Sequence, residues 1–117
     1  MSGGSLSVVR LQNERDLCMN ESAIERKFCK YAAKLGIWNC KLGANGWPDR
    51  MFIFPEKLVA FIEFKTPTGK VSDHQQVVLE ELSKRGVPVF VIRECTLESV
   101  YAFANAVDPI RFPSKGS

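Results

Sequence analysis

The residues best placed to do chemistry are Pro48-Asp49 and, after thirteen intervening residues, Glu63-Phe64-Lys65. Glu63 and Lys65 lie two apart in the run from Leu58 to Lys65, whose Phe61, Ile62 and Phe64 read as a buried strand. Alternation along a strand turns both charged side chains to one face. Asp49 opens a second apolar run, Met51 to Phe54, and Pro55-Glu56-Lys57 reads as the hairpin turn between the two. Asp49 is therefore expected opposite the Glu63–Lys65 end. A carboxylate in such a strand costs on the order of several kcal/mol to desolvate unless something compensates it. A divalent cation compensates two carboxylates, and Mg2+ favours a few of them together with water and phosphate oxygens. Two acids and a lysine thus suit phosphoryl chemistry, the lysine orienting or deprotonating a water and offsetting charge in the transition state. Alone, a Glu-x-Lys pair is usually a strand-end salt bridge. Joined to Gly-x-Pro-Asp at this separation, ahead of a helix, it points to a site.

The elements that must hold these residues follow from periodicity. Ile24, Phe28, Tyr31, Ala32 and Leu35 predict a helix over Ser22 to Leu35, with Ser22-x-x-Glu25 as a capping box and Gly36 as its stop. Its flanks carry Arg26, Lys27, Lys30 and Lys34. Ile37 to Leu42 reads as a strand, and the glycine-rich turn from Gly43 to Pro48 follows. Beyond the hairpin and the loop at 66–70, a second helix is expected over Asp73 to Lys84, capped by Ser72 and stopped by Gly86. Val87 to Ile92 is rich in β-branched residues, and Leu97 to Ala106 reads as a final helix. The order predicts an α/β fold, a mixed β-sheet flanked by helices. Residues 1–20 read as a flexible or weakly ordered leader, with Leu6 to Leu11 as a possible short strand; 21–107 form the domain, and 108–117 a polar, turn-rich tail.

Bulk properties narrow the class. The 117 residues, 45% hydrophobic and 25% charged, are one globular domain's worth and can bury a core without disulfides or metal staples. A net charge of +3 is compatible with a polyanionic partner and does not establish one. The four cysteines form no C-x-x-C pair and His74 is the only histidine, which argues against a conventional zinc site and favours reduced thiols. Neither a signal peptide nor an apolar stretch of the ~20 residues needed to span a bilayer is present, so a cytoplasmic protein without membrane attachment is expected.

Pro48-Asp49 with Glu63-Phe64-Lys65 resembles the PD-(D/E)xK nuclease motif. The wider pattern is similar to the VRR-NUC branch: Gly46-Trp47-Pro48-Asp49-Arg50, Ala60-Phe61-Ile62-Glu63-Phe64-Lys65, Gly69-Lys70-Val71-Ser72-Asp73-His74-Gln75 and Gly86-Val87-Pro88-Val89. The resemblance covers about residues 20 to 107. It implies a restriction-endonuclease-like αβββαβ core, Mg2+ (or Mn2+) dependence, and DNA cleavage leaving a 5′-phosphate and a 3′-hydroxyl. Lone small domains of this branch look like Holliday-junction resolvases acting as homodimers in bacterial or phage-infected cells, with roles in recombination and repair.

Carried over by position, the resemblance makes Asp49 and Glu63 metal ligands, adds the Phe64 backbone carbonyl, and makes Lys65 the catalytic lysine. Glu25 matches a glutamate of the first helix that reaches the metal directly or through water, with Glu21 as fallback. Gln75 matches a glutamine beside the active site. Both have a plainer reading, since Ser22-x-x-Glu25 and Ser72-x-x-Gln75 are capping-box patterns. His74 reads as a solvated surface residue, and Trp47 as packed under its loop or stacked on a base. Lys41, Arg50 and Lys70 flank the site as DNA-phosphate contacts, with Lys30 on the first helix a further one. The expected activity is metal-dependent, structure-specific endonuclease action on branched DNA or four-way junctions. The competing readings are a sequence-specific, flap or exonuclease of the same superfamily, and a non-catalytic DNA-binding protein with the same fold.

Overall fold

Residues 20–114 of the chain, described here by a computed structural model, alternate helix and strand in the order expected. They are α1 (Glu21–Lys34), β1 (Trp38–Lys41), β2 (Arg50–Ile53), β3 (Val59–Phe64), α2 (Asp73–Lys84), β4 (Val89–Ile92) and α3 (Leu97–Val107). The strands form one mixed sheet in the order β1-β2-β3-β4. The first three are antiparallel, with Met51 opposite both Cys40 and Phe61, and β4 lies parallel to β3, with Glu63 opposite Val91. The three residues Pro55-Glu56-Lys57, the last two at positive φ, close the β2–β3 hairpin beyond the Phe54 N–H to Leu58 carbonyl bond, and α2 makes the crossover that a parallel partner requires. The expected leader and the strand at Leu6 to Leu11 fall outside the described residues.

Alternation divides the sheet into two faces. Phe52, Ala60, Ile62 and Phe64 point to α1 and α3 and are fully buried. There Phe28 of α1 meets Phe52 and Phe64 edge to face, at 5.8 and 5.5 Å between ring centroids. Phe103 of α3 joins them and reaches Phe90 at 5.1 Å. Such edge-to-face pairs add to the area they bury. The segment after α3, expected as a polar tail, also seats one aromatic. Phe112 is buried against Phe54 and Tyr101, and its carbonyl accepts from Asn105 Nδ2 at 2.7 Å. The opposite face carries Glu63, Phe61 and Val91, and α2 packs there along β4. Among the described residues no helix is long and apolar enough to cross a membrane.

The start of α1 corrects one expectation. Ser22 does not cap it, because the helix already begins at Glu21. Asn20 is the cap: its Oδ1 accepts from Ala23 N–H at 2.8 Å. Ser22 and Glu25 therefore make no capping box, which frees the Glu25 side chain for other partners. Asn20→Ala is expected to destabilise the fold by about 1 kcal/mol, lowering the melting temperature by ~4 °C, whereas Ser22→Ala leaves it unchanged. Thermal melts of the two variants check the assignment.

Candidate active site

The hairpin register carries Asp49 to the C-terminal end of β3. Asp49 precedes β2, its backbone carbonyl accepts from Leu42 N–H at 2.8 Å, and its Oδ2 accepts from the Phe64 backbone N–H at 2.7 Å. Pro48, fully buried, fixes the approach. The neighbouring loop is held by Gly46 at φ +81°, where a Cβ would fall 1.8 Å from His74 Cδ2. His74 is exposed as expected, and its ring also packs over this loop. Trp47 sits edge-on to Phe61 at 6.4 Å and remains 43% exposed, so packing accounts for much of it.

Glu63 is 2% exposed. Its Oε2 accepts from Gln75 Nε2 at 2.8 Å and lies 3.3 Å from Lys65 Nζ. Its Oε1 is buried and has no hydrogen-bond partner among the described residues. Gln75 fills both roles that its sequence left open. Its backbone N–H and side-chain Oε1 close a capping box with Ser72, while its Nε2 reaches across to Glu63. An amide side chain has separate donor and acceptor ends, so one residue can do both.

The electrostatics agree with this geometry. Burial pushes the Glu63 carboxyl above its ordinary range, and the charge of Asp49 pushes it further against the opposing pull of Lys65. Burial likewise raises Asp49; the Phe64 N–H and the charges of Lys41 and Lys65 offset part of this, and Glu25 adds to it. Both acids are thus short of positive charge. The donor set fits a small hard cation: a buried carboxylate oxygen with nothing to bind, a second carboxylate with one oxygen committed, and a lysine beside them. Among the described residues no three His, Cys, Asp or Glu side chains gather around one point. Asp49 and Glu63 could therefore hold an ion only with backbone, water or substrate oxygens completing its shell.

Glu25 is not in this group. It lies on the α1 side, 9% exposed, with Oε2 accepting from Arg50 Nε at 2.6 Å and from Lys41 Nζ at 3.3 Å. Arg50, expected as a free phosphate contact, is committed to Glu25 and, through Nη1 at 2.7 Å, to Asn39 Oδ1. Lys30 and Lys70 are exposed and make no ion pair among the described residues. Two contributors went unnoticed in the sequence. Asn39 holds Arg50, and Arg93 Nη1 donates to the carbonyls of Thr66 and Gly69 at 2.9 and 2.6 Å, tying down the loop between Lys65 and Gln75. Neither belongs to a local motif, and Arg93 contacts residues more than twenty positions away, so no sequence signal marked them.

A family model described as VRR-NUC domain matches residues 6–94. A solved structure titled "VRR_NUC domain" superposes with a TM-score of 0.63 at 28% sequence identity, covering 73% of this chain and 94% of that one. Among curated proteins nothing matches. The family match ends before α3, whose Val100, Phe103 and Ala104 nonetheless belong to the core. With the motif, the sheet and most of the chain matched alike, this protein belongs to the VRR-NUC domain family, whose activity is of nuclease type on DNA.

Proposed function

We propose that the chain is a divalent-metal-dependent endonuclease that hydrolyses phosphodiester bonds in branched DNA, working as a homodimeric Holliday-junction resolvase. The observation that carries the reading is the buried Oε1 of Glu63, without a hydrogen-bond partner among the described residues, on a side chain beside Asp49 and held by Gln75 and Lys65. Asp49, Glu63 and the Phe64 carbonyl would hold Mg2+ or Mn2+, which when bound supplies Lewis-acid polarisation of the phosphate. The remaining work falls to the chain. Gln75 and Lys65 fix the orientation of Glu63. Lys65 Nζ can orient an attacking water and offset the negative charge that grows on the phosphate oxygens. Among the described residues the loops around the sheet are short, with no added element to read base edges, which suits recognition by shape and backbone. Lys41, Lys70 and Lys30 are exposed cations available to phosphates. Cys29, Cys40 and Cys95 are free thiols, in keeping with a cytoplasmic setting.

Support for a homodimer comes from the part of the sheet's α2 side, at β1 and β2, that no helix contacts among the described residues. By alternation Trp38, Cys40, Met51 and Ile53 share it, and Trp38 is 77% exposed on the edge strand. Trp38→Lys is expected to weaken self-association at least tenfold without loss of fold, as read by sedimentation equilibrium. The function itself is tested by mapping cuts on linear, flapped, splayed and four-way DNA with Mg2+ or Mn2+. Paired symmetric nicks across the four-way junction support the proposal; cutting confined to flaps or ends, or no cutting, overturns it.

A further inference from the structure

Resting on the nuclease reading above, we infer that Glu25, Lys41 and Arg50 form a clamp for the DNA phosphate neighbouring the one that is cut, with Glu25 as a positioning residue and not a metal ligand. The register separates two charged groups. Glu63, Lys65 and Gln75 occupy the α2 side of the sheet, whereas Arg50, opposite Ile62, and Lys41, opposite Arg50, face α1. Glu25 sits between the two cations on that side, its side chain 12% exposed. Drawing it onto a metal would strip a half-buried guanidinium of its partner, and an uncompensated buried charge is costly. Asp49, at the strand end between the two groups, feels the charges of both Glu25 and Lys41, which sets the clamp next to the reacting centre.

The clamp is built for an anion. Two cations share the single carboxylate of Glu25, so their direct partner does not neutralise both. Arg50 spends Nε on Glu25 and one Nη1 hydrogen on Asn39, and its Nη2 has no partner among the described residues. A guanidinium so braced presents its remaining donors in a fixed plane, the geometry that matches a phosphate. Lys41 is 64% exposed and adds a mobile second charge. Cys29 Sγ, 3.7 Å from Asn39 Oδ1, packs behind Asn39.

Two titrations on the full chain test this. The first measures Mn2+ affinity without DNA by calorimetry. Glu25→Gln is expected to leave it within about twofold of wild type, while Glu63→Gln weakens it at least tenfold. The second measures binding of a four-way junction and a linear duplex in Ca2+ or EDTA across salt concentrations. Arg50→Gln and Lys41→Gln are each expected to weaken both DNAs about fivefold to tenfold and to reduce the salt slope by about one. Glu25→Gln, by unbracing Arg50, weakens DNA binding with the salt slope preserved, and raises KM more than it lowers kcat. Glu25→Asp, which keeps the charge, restores part of that binding and controls for folding. Loss of Mn2+ affinity in Glu25→Gln equal to that in Glu63→Gln, or wild-type DNA affinity in Arg50→Gln, overturns the inference. Failure of the wild type to cut any DNA overturns the nuclease reading instead, and the DNA-binding arm still decides the clamp.

Discussion

Asp49→Asn is expected to lower the cleavage rate about a thousandfold, the loss of several kcal/mol of transition-state stabilisation, while making the metal-free protein more heat-resistant. The two effects share a cause. Asparagine keeps an oxygen for the Phe64 N–H, so the bond that fixes this side chain survives. What it removes is a negative charge that burial already disfavours. Without metal, that charge strains the fold at neutral pH, and its removal is expected to raise the melting temperature by about 3 °C. Mg2+ or Mn2+ is expected to raise the wild-type melting temperature, as any ligand of the native state does, and to leave Asp49→Asn unmoved.

The pH dependence follows with a definite sign. Asp49 and Glu63 both have carboxyls raised by burial in the folded chain. The stability they contribute is therefore fully present below the ordinary carboxylate range and is lost as pH rises through their elevated folded values. Catalysis runs the other way, since a cation needs both groups ionised. The acid limb of the pH–rate profile is expected above the ordinary carboxylate range, and metal-free melting temperatures are expected to fall across the same interval. Melting curves with and without metal, alongside rates from acid to neutral pH, check both. An Asp49→Asn variant that still cuts junctions at a tenth of the wild-type rate would remove Asp49 from the reaction.

The parts of this site that could be read in the sequence are those that repeat at short range. Strand alternation put Glu63 and Lys65 on one face, and the hairpin turn at Pro55-Glu56-Lys57 brought Asp49 to the end of β3, because so short a turn leaves little choice of register. Helix α2 appeared with the expected bounds, since Ser72 and Gln75 announce its start chemically. Contacts between elements were less legible. A Ser-x-x-Glu pattern fits a capping box wherever it occurs, and only the true start of α1 at Glu21, capped by Asn20, shows that Glu25 has no such duty. Arg50 looked like a free surface cation because nothing local says that Glu25 and Asn39, more than ten residues away, neutralise and brace it. Phe112 was hidden for a similar reason: one aromatic in a polar tail has no period to betray it.

Gln75→Glu is the substitution that best separates the two duties of that residue. The new carboxylate keeps an acceptor for the Ser72 N–H, so the start of α2 stays capped. It loses the Nε2 donor, however, and sets a second acid against Glu63 Oε2, where an amide now stands at 2.8 Å. Two facing carboxylates in a buried site share a proton, so Glu63 is pushed still higher and spends more of its time neutral. The cleavage rate at neutral pH is expected to fall about a hundredfold, with part of it recovered as the pH is raised. Gln75→Ala behaves differently. It also loses the contact to Glu63, but adds no charge, so its rate is expected to fall only about tenfold, with the acid limb close to that of wild type. It forfeits half of the capping box as well, so its melting temperature falls below that of the wild type. Rates across the pH range and metal-free melts of the two variants provide the comparison. Wild-type cleavage by Gln75→Glu, with an unmoved acid limb, would mean that the amide only caps the helix and that Glu63 is oriented by Lys65 alone.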